Sequence, residues 1–378
     1  MRFCHGAVFV TMTLHAMFAV VSAGEVPIYL GTYSSEEKDR GILRSSLDLA
    51  TGKLSAPVVV ADAGNPSFLA ISPDGRFLFA ASEQGESTVR SYRIREDGGF
   101  EFINARLSGG AGACHVICVA GHVIVSNYGG GNISVLPFDA AGLLGEPSAT
   151  VAFEGSGPNR ARQEKPHAHA AGASQDARFL YVCDLGSDRI WSFHFDAKTG
   201  RLTPTNPPAG IAPPGGGPRH MAIHPEKPFL FANDEMGLSV TAYSRDPATG
   251  VLNSVQTIPV LPGGAGTEND STSEIELHPN GRWLYVSTRG HNSITVFEVN
   301  GDGHLRFVEN VPAGVAIPRG FSIAPGGGWL VIAGQKDGGL ASFKIDGETG
   351  RLSATARIET NAMPASVVFP PATGEGAK

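Results

Sequence analysis

Cysteine is scarce: the chain has four in 378 residues, and no two are spaced as C-x-x-C. That excludes a disulfide framework and a thiolate metal site. Cys114 and Cys118, in "CHVICV", would lie about 13 Å apart along a strand, too far to bridge to each other. With Cys183 they read as small buried apolar side chains. Runs of positive charge are also missing. The formal net charge is −7 and no basic stretch with interleaved aromatics occurs, which argues against nucleic acid as a partner. No GxSxG nucleophile motif is present, and "EGSGP" has no helix after it. No glycine-rich phosphate loop leads into a helix; "PPGGGP" reads as a linker. Asp and Glu are too dispersed to argue a metal site. No metal and no cofactor are therefore expected, and oligomeric state has no signature in the sequence.

Long apolar runs are absent but for one. Arg2 precedes "FCHGAVFVTMTLHAMFAVV", followed by "VSAG" with small residues suited to signal-peptidase cleavage. Residues 1–23 are expected to be an export signal, leaving a periplasmic or secreted protein without stable membrane insertion. A retained anchor is the competing reading, because the run approaches spanning length; His5 and His15 inside it weaken both. Residues 24–371 are expected to form a single domain, and 372–378 a flexible tail.

What the chain does have is glycine (49), proline (26) and a repeat. "PSFLAISPDGRFLFAAS" from Pro66, "GACHVICVAGHVIVSN" from Gly112 and "PHAHAAGASQDARFLYVCD" from Pro166 superimpose. So do "PRHMAIHPEKPFLFAND" from Pro218, "TSEIELHPNGRWLYVST" from Thr272 and "PRGFSIAPGGGWLVIAG" from Pro318. Each reads as strand, Pro/Gly/Asp turn, strand, loop and alternating strand, then a turn and a fourth strand, the pattern of propeller blades. "YLGTYSS" near the N-terminus lacks a first strand and "PASVVFPP" near the C-terminus supplies only that strand. The prediction is an all-β, seven-bladed propeller of four-stranded antiparallel blades, its ring closed by a blade shared between the termini. The alternation in "SVTAYS", "ITVFEV" and "IWSFHF" excludes a helical bundle.

In a hairpin the turn sets which residues face each other. A turn centred between Glu226 and Lys227 places Arg219 opposite Asp234, beside Glu235. One centred near Gln175 and Asp176 places His167 opposite Asp184. The same counting adds Glu83, Asn127 with Tyr128, Arg289, Arg319 with Gln335, and Tyr33 to that edge. First strands line the channel of a propeller, so one mouth collects His167, His169, Arg219, His220, Glu235, Arg289, Arg319 and Gln335. His224, His278 and the turns go to the opposite mouth. His115, His122, His194 and His304 are assigned to structure along with those two, and His291 is left open. Arginines suit an anionic substrate, a histidine near neutrality can take a proton, and an arginine can hold a developing oxyanion. Metal-free opening of a small anionic lactone fits these parts. Lactonising cycloisomerisation of a carboxylated muconate fits them too, and a non-catalytic surface propeller could carry the same repeat.

The pieces "GSGPNRARQEKPHAHA", "GPRHMAIHP", "FANDEMGLSVTAY", "STRGHNSITVF" and "PRGFSIAPGGGWLVIAGQKDG" resemble the seven-bladed lactonase family of propeller-type 6-phosphogluconolactonases and the fungal carboxymuconate cyclase. The resemblance covers essentially the whole chain after the apolar segment. It implies a lactone hydrolase whose active-site histidine is His167 or His169, with Arg219, Glu235 and Arg289 beside it. Arg162, Gln163, Arg319 and Gln335 match further characteristic positions. "AHAAG" has small residues where relatives carry a longer aliphatic strand, and "CHVICVAGHVIVSN" has a shortened hairpin. The export signal is the larger departure, because the phosphorylated pentose-pathway lactone is cytosolic. The metal ligands of calcium-dependent gluconolactonases find no match.

Overall fold

The alternating segments pair into seven antiparallel sheets of four strands each. The computed structural model describes residues 24–33, 41–83, 87–264 and 266–371. The expected signal and tail lie outside them. Among the described residues no helix is long and apolar enough to cross a membrane. In blade 1 the innermost strand, Met363–Val368, comes from the C-terminal end and pairs with Glu25–Tyr33, followed by Ile42–Asp48 and Val58–Ala61. This is the shared blade expected from the two incomplete repeats. Blade 5, which carries "PRHM", runs Pro218–Ile223, Phe229–Asp234, Ser239–Arg245 and Leu252–Pro259 from the axis outward.

A blade is a thin sheet and cannot bury both faces alone. Each of the seven apolar clusters therefore combines two neighbouring blades; Trp283, Tyr285 and Val296 of blade 6, for example, pack with Leu330, Ile332 and Phe343 of blade 7. The "D-x-x-TG-x-L" turns between third and fourth strands lock this contact. In the blade 7 turn, Asp346 Oδ1 accepts the N–H groups of Glu348 (3.0 Å) and Thr349 (2.9 Å), and Gly350 lies directly on the Trp283 ring of blade 6. A Cβ at Gly350 would come within 2.5 Å of that ring, at a backbone φ of +72°. Gly350→Ala is therefore expected to cost roughly 2–4 kcal/mol from overpacking and left-handed strain together. A urea titration would read this as a lower midpoint with an unchanged slope.

The hairpin turns face one mouth. There His224 Nδ1 accepts the N–H groups of Glu226 (3.1 Å) and Lys227 (2.9 Å), and His278 Nε2 contacts the Gly327 carbonyl at 2.9 Å.

Pairing follows the turn-based count along most of blade 5, with His220 opposite Asn233 and Met221 opposite Ala232. It then slips by one residue: Asp234 pairs with Pro218, and Arg219 is left over as a β-bulge. The expected Arg219–Asp234 pairing is thus corrected. Asp234 points away to Ser239 and Thr241, whose hydroxyls donate to its Oδ2 at 2.7 and 2.8 Å. In blade 4 the partner of Asp184 is Ala168 instead of His167, because the turn sits further along than expected and His169 is the skipped residue. The first strand slips in every blade, and the skipped residues include Ser67, Cys114, His169, Arg219, Arg319 and Ala365. A bulge bends the strand and re-aims its extra side chain. Repeated around the ring, it turns one residue per blade toward the axis.

Candidate active site

Glu235 sits at the centre of the mouth opposite the hairpin turns. Its backbone leaves the bulged hairpin through an N–H bond to the Gly217 carbonyl (2.7 Å), and its side chain is 5% exposed. Three guanidinium groups converge on it. Arg219 Nε donates to Oε2 at 3.0 Å, Arg289 Nη2 lies 3.2 Å from the same oxygen, and Arg162 Nη2 donates to Oε1 at 2.7 Å. Burial alone would raise the carboxyl, but Arg289, Arg219 and Arg162 outweigh it and hold the group at about 2. The carboxylate is ionised at neutral pH and holds the three guanidinium groups together. Arg219 is also clamped by donating from Nη1 to the Ser273 carbonyl (2.6 Å), and Arg289 donates to the Thr272 carbonyl at 3.1 Å.

Arg319 completes the cationic ring. Its Nη2 donates to the Tyr33 hydroxyl at 3.0 Å and its guanidinium lies 5.0 Å from that ring's centre. Its Nη1 donates to Gln335 Oε1 at 3.5 Å, so the expected pair is together. Tyr33 in turn donates to Glu83 Oε1 at 2.6 Å, as does the Ser67 hydroxyl at 2.5 Å.

The two "PHAH" histidines differ in kind. His167 is stacked on Tyr128 with ring centres 4.4 Å apart; its Nδ1 donates to the Tyr128 carbonyl (3.0 Å) and its Nε2 lies 3.2 Å from Glu164. Its backbone N–H donates to Asp184 (2.7 Å). His169, the bulge residue, is 5% exposed and its Nδ1 is buried with no partner among the described residues. Burial first, then the charge of Arg219, hold its imidazole well below the ordinary range, so it stays neutral. Its free nitrogen can accept a proton, and Arg219 and burial make the imidazolium short-lived, so the proton is readily given up again.

Gln163 and His220, both singled out from the sequence, lie away from the rim of the mouth. Gln163 is fully buried: it donates to the Leu185 carbonyl (2.9 Å) and Asp188 (2.6 Å) and accepts the Asn159 N–H (3.1 Å). It braces the loop that carries Arg162 and does not reach the mouth. His220 lies deeper than the rim, packed against His169 and His115 with ring centres 5.1 Å away in each case. Its Nδ1 is 2.7 Å from Glu274 Oε1. Glu274 was not among the expected residues; its signal is the pair of carboxylates in the first strand "TSEIEL", since no first strand of the other six blades carries one. His291 is exposed, bonds to the Ser293 hydroxyl (2.7 Å) and stays outside the cluster.

Below the arginines the channel narrows to a void of about 10 Å³ bounded by Tyr33, Ser67, Cys114, Arg219, His220 and Arg319. Beneath it a mainly apolar cavity of about 540 Å³ opens at the turn side, lined by Ile71, Val116, Met221, Ile275 and Phe321, with Glu274 and Glu276 in its wall. A larger concavity of about 800 Å³ lies on the outer rim between Trp191 and Leu252 and holds none of the converging histidines and arginines. Among the described residues no group of three or more His, Cys, Asp or Glu side chains is arranged to hold a metal ion.

Residues 27–369 match the family model described as lactonase, 7-bladed beta-propeller. The chain is 34% identical to a 6-phosphogluconolactonase of Bacillus subtilis over 346 residues, covering 90% of this chain and 97% of that one. A 6-phosphogluconolactonase of Cronobacter sakazakii is 32% identical over 321 residues, covering 84% and 92%. Among solved structures, a periplasmic gluconolactonase of Pseudomonas aeruginosa superimposes with a TM-score of 0.85 at 27% identity, covering 92% of this chain and 99% of that one. The match spans every blade, and with it the chain belongs to the seven-bladed β-propeller lactonase family.

Proposed function

We propose that the protein hydrolyses a sugar lactone to the open sugar acid, with His169 taking the proton of the attacking water. Arg219 and Arg319 hold the carbonyl oxygen as it becomes an oxyanion. Arg289 and Arg162 hold an anionic or strongly polar group of the substrate. Glu235 keeps the guanidiniums in register. The observation that carries this reading is the convergence of three arginines on one buried, permanently ionised glutamate, beside a neutral histidine that has an unpartnered nitrogen. Preorganised cations of this kind stabilise charge that appears only in the transition state. Lactones of sugars are reactive esters, so a sparse site suffices. Export is part of the proposal: the Arg2-led apolar segment and "VSAG" support it, and an exported enzyme would act on a lactone available outside the cytoplasm.

A panel of phosphorylated and unphosphorylated sugar lactones, assayed by acid release with and without chelator, tests the reading. Turnover of at least one, unaltered by chelator, is expected. Absence of any lactone opening, or lactone formation from a carboxylated muconate instead, would refute it.

A further inference from the structure

The hydrolysis proposed above needs two proton transfers, and His169 accounts for one. Water attack forms the C–O bond while His169 takes a proton from the water. The tetrahedral intermediate must then break the ring C–O bond, and the departing alkoxide must gain a proton. An alkoxide is about as basic as hydroxide, so without a donor the intermediate returns to lactone by expelling the oxygen that attacked. A donor beyond His169 would commit it forward.

Such a donor is built into the channel below the arginines. His220 and Glu274 are 4% and 8% exposed and lie on the first strands of adjacent blades, joined by the 2.7 Å contact between Nδ1 and Oε1. The other imidazole nitrogen, Nε2, is buried and has no partner among the described residues. Leaving a buried polar group unpaired is costly, so its retention calls for a reason. His220, Glu274, Arg219 and Arg319 border the void of about 10 Å³ under the mouth, close to the space that one water requires, about 10–15 Å³ of probe volume. Burial, acting before the opposing pull of Arg219, raises the Glu274 carboxyl to about 8, and burial, then Arg219, keeps His220 well below the ordinary imidazole range. Both groups are thus uncharged: the carboxyl O–H donates to Nδ1, and Nε2 carries the ring's own proton.

We infer that Glu274 and His220 form a proton-delivery couple serving the leaving oxygen through one water in the channel constriction. Nε2–H passes its proton to that water as the water protonates the alkoxide, and the carboxyl proton moves to Nδ1. The proton held by His169 returns through solvent and the channel water to Nε2 while the Nδ1 proton passes back to Glu274, which restores both groups. His220 acts through the water and is a positioning and relay residue, distinct from the groups that touch substrate.

This inference rests on the hydrolase reading, and the test separates the two. His220→Gln and Glu274→Gln are compared with wild type on an aliphatic sugar lactone and on an aryl lactone such as dihydrocoumarin. A phenol, with a pKa near 10, leaves without help. Both variants are expected to lose about 10²-fold in kcat on the aliphatic lactone, with a loss at least tenfold smaller on the aryl lactone and KM nearly constant. Glu274→Gln keeps the shape and a donor toward Nδ1, so it remains informative if His220→Gln folds poorly. An equal loss on both substrates, or none on the aliphatic one, overturns the relay and leaves the hydrolase reading standing. A wild type inactive on both lactones and on the whole panel above overturns the hydrolase reading and the relay together.

Discussion

Glu235→Gln is expected to destabilise the protein by roughly 3–5 kcal/mol, the range for removing one partner of a buried ion pair. The substitution changes shape little but takes away the one carboxylate, among the described residues, that is ion-paired with Arg219 and Arg289. Their side chains are 3% and 15% exposed, against 43% for Arg162, so the cost comes from the first two. Arg162 can turn to solvent, and its share is screened. The pH dependence has a definite sign. The folded-state carboxyl is depressed to about 2 from an ordinary 4.5. Its stabilisation is therefore fully present above pH 4.5 and is lost as pH falls toward 2. Urea unfolding of wild type and variant should differ most at neutral pH, and the gap should shrink by about 2 kcal/mol between pH 5.5 and 3. A gap that stays constant with pH would mean that the glutamate is not held ionised by the arginines. Activity should fall with it, because the arginines lose their register even in molecules that remain folded.

The ring of blades was legible in the sequence because its determinants are local. Alternation sets each strand, Pro, Gly and Asp set each turn, and the two partial repeats account for the shared blade. The gathering of Arg219, Arg289, Arg319, Gln335 and the "PHAH" histidines at one mouth followed from counting outward from the turns. The same counting failed at Arg219, because it assumes one residue opposite one, and a bulge is where that assumption breaks. The error has a chemical consequence. An unbulged Arg219 would face Asp234, whereas the bulged one meets Glu235 and the Ser273 carbonyl of the next blade. Glu274 was illegible for a different reason. Its partner His220 comes from the neighbouring blade, and pairing within a hairpin says nothing about contacts between first strands of adjacent blades. Gln163 shows the limit of matching positions to a family pattern, since a characteristic residue can serve to hold a loop.

Arg219→Ala is expected to give the largest loss of activity of any single change at the mouth, on the order of 10²–10³-fold or more in kcat. Removing one preorganised donor from an oxyanion site has that effect in general, and Arg219 is the most constrained donor in the ring. Nε is committed to Glu235 and Nη1 to the Ser273 carbonyl, so the direction of the guanidinium plane is set before substrate arrives. Lysine keeps the charge but cannot reach two acceptors in one plane, and Arg219→Lys should recover little of the loss. Stability should suffer less than in Glu235→Gln, because Glu235 keeps Arg289 and Arg162 as partners and the vacated guanidinium leaves no unpaired charge behind. The split between kinetic constants identifies what Arg219 holds. A fall in kcat with KM nearly unchanged means a bond made to the oxyanion in the transition state, and a rise in KM with kcat kept means binding of a substrate anion. The first outcome is expected for Arg219 and the second for Arg289→Ala. Combined with His169→Ala, the loss should be well short of the product of the two single losses, since an oxyanion holder is of little use once no proton is taken from the attacking water. A double variant as active as wild type would exclude this mouth as the reaction site.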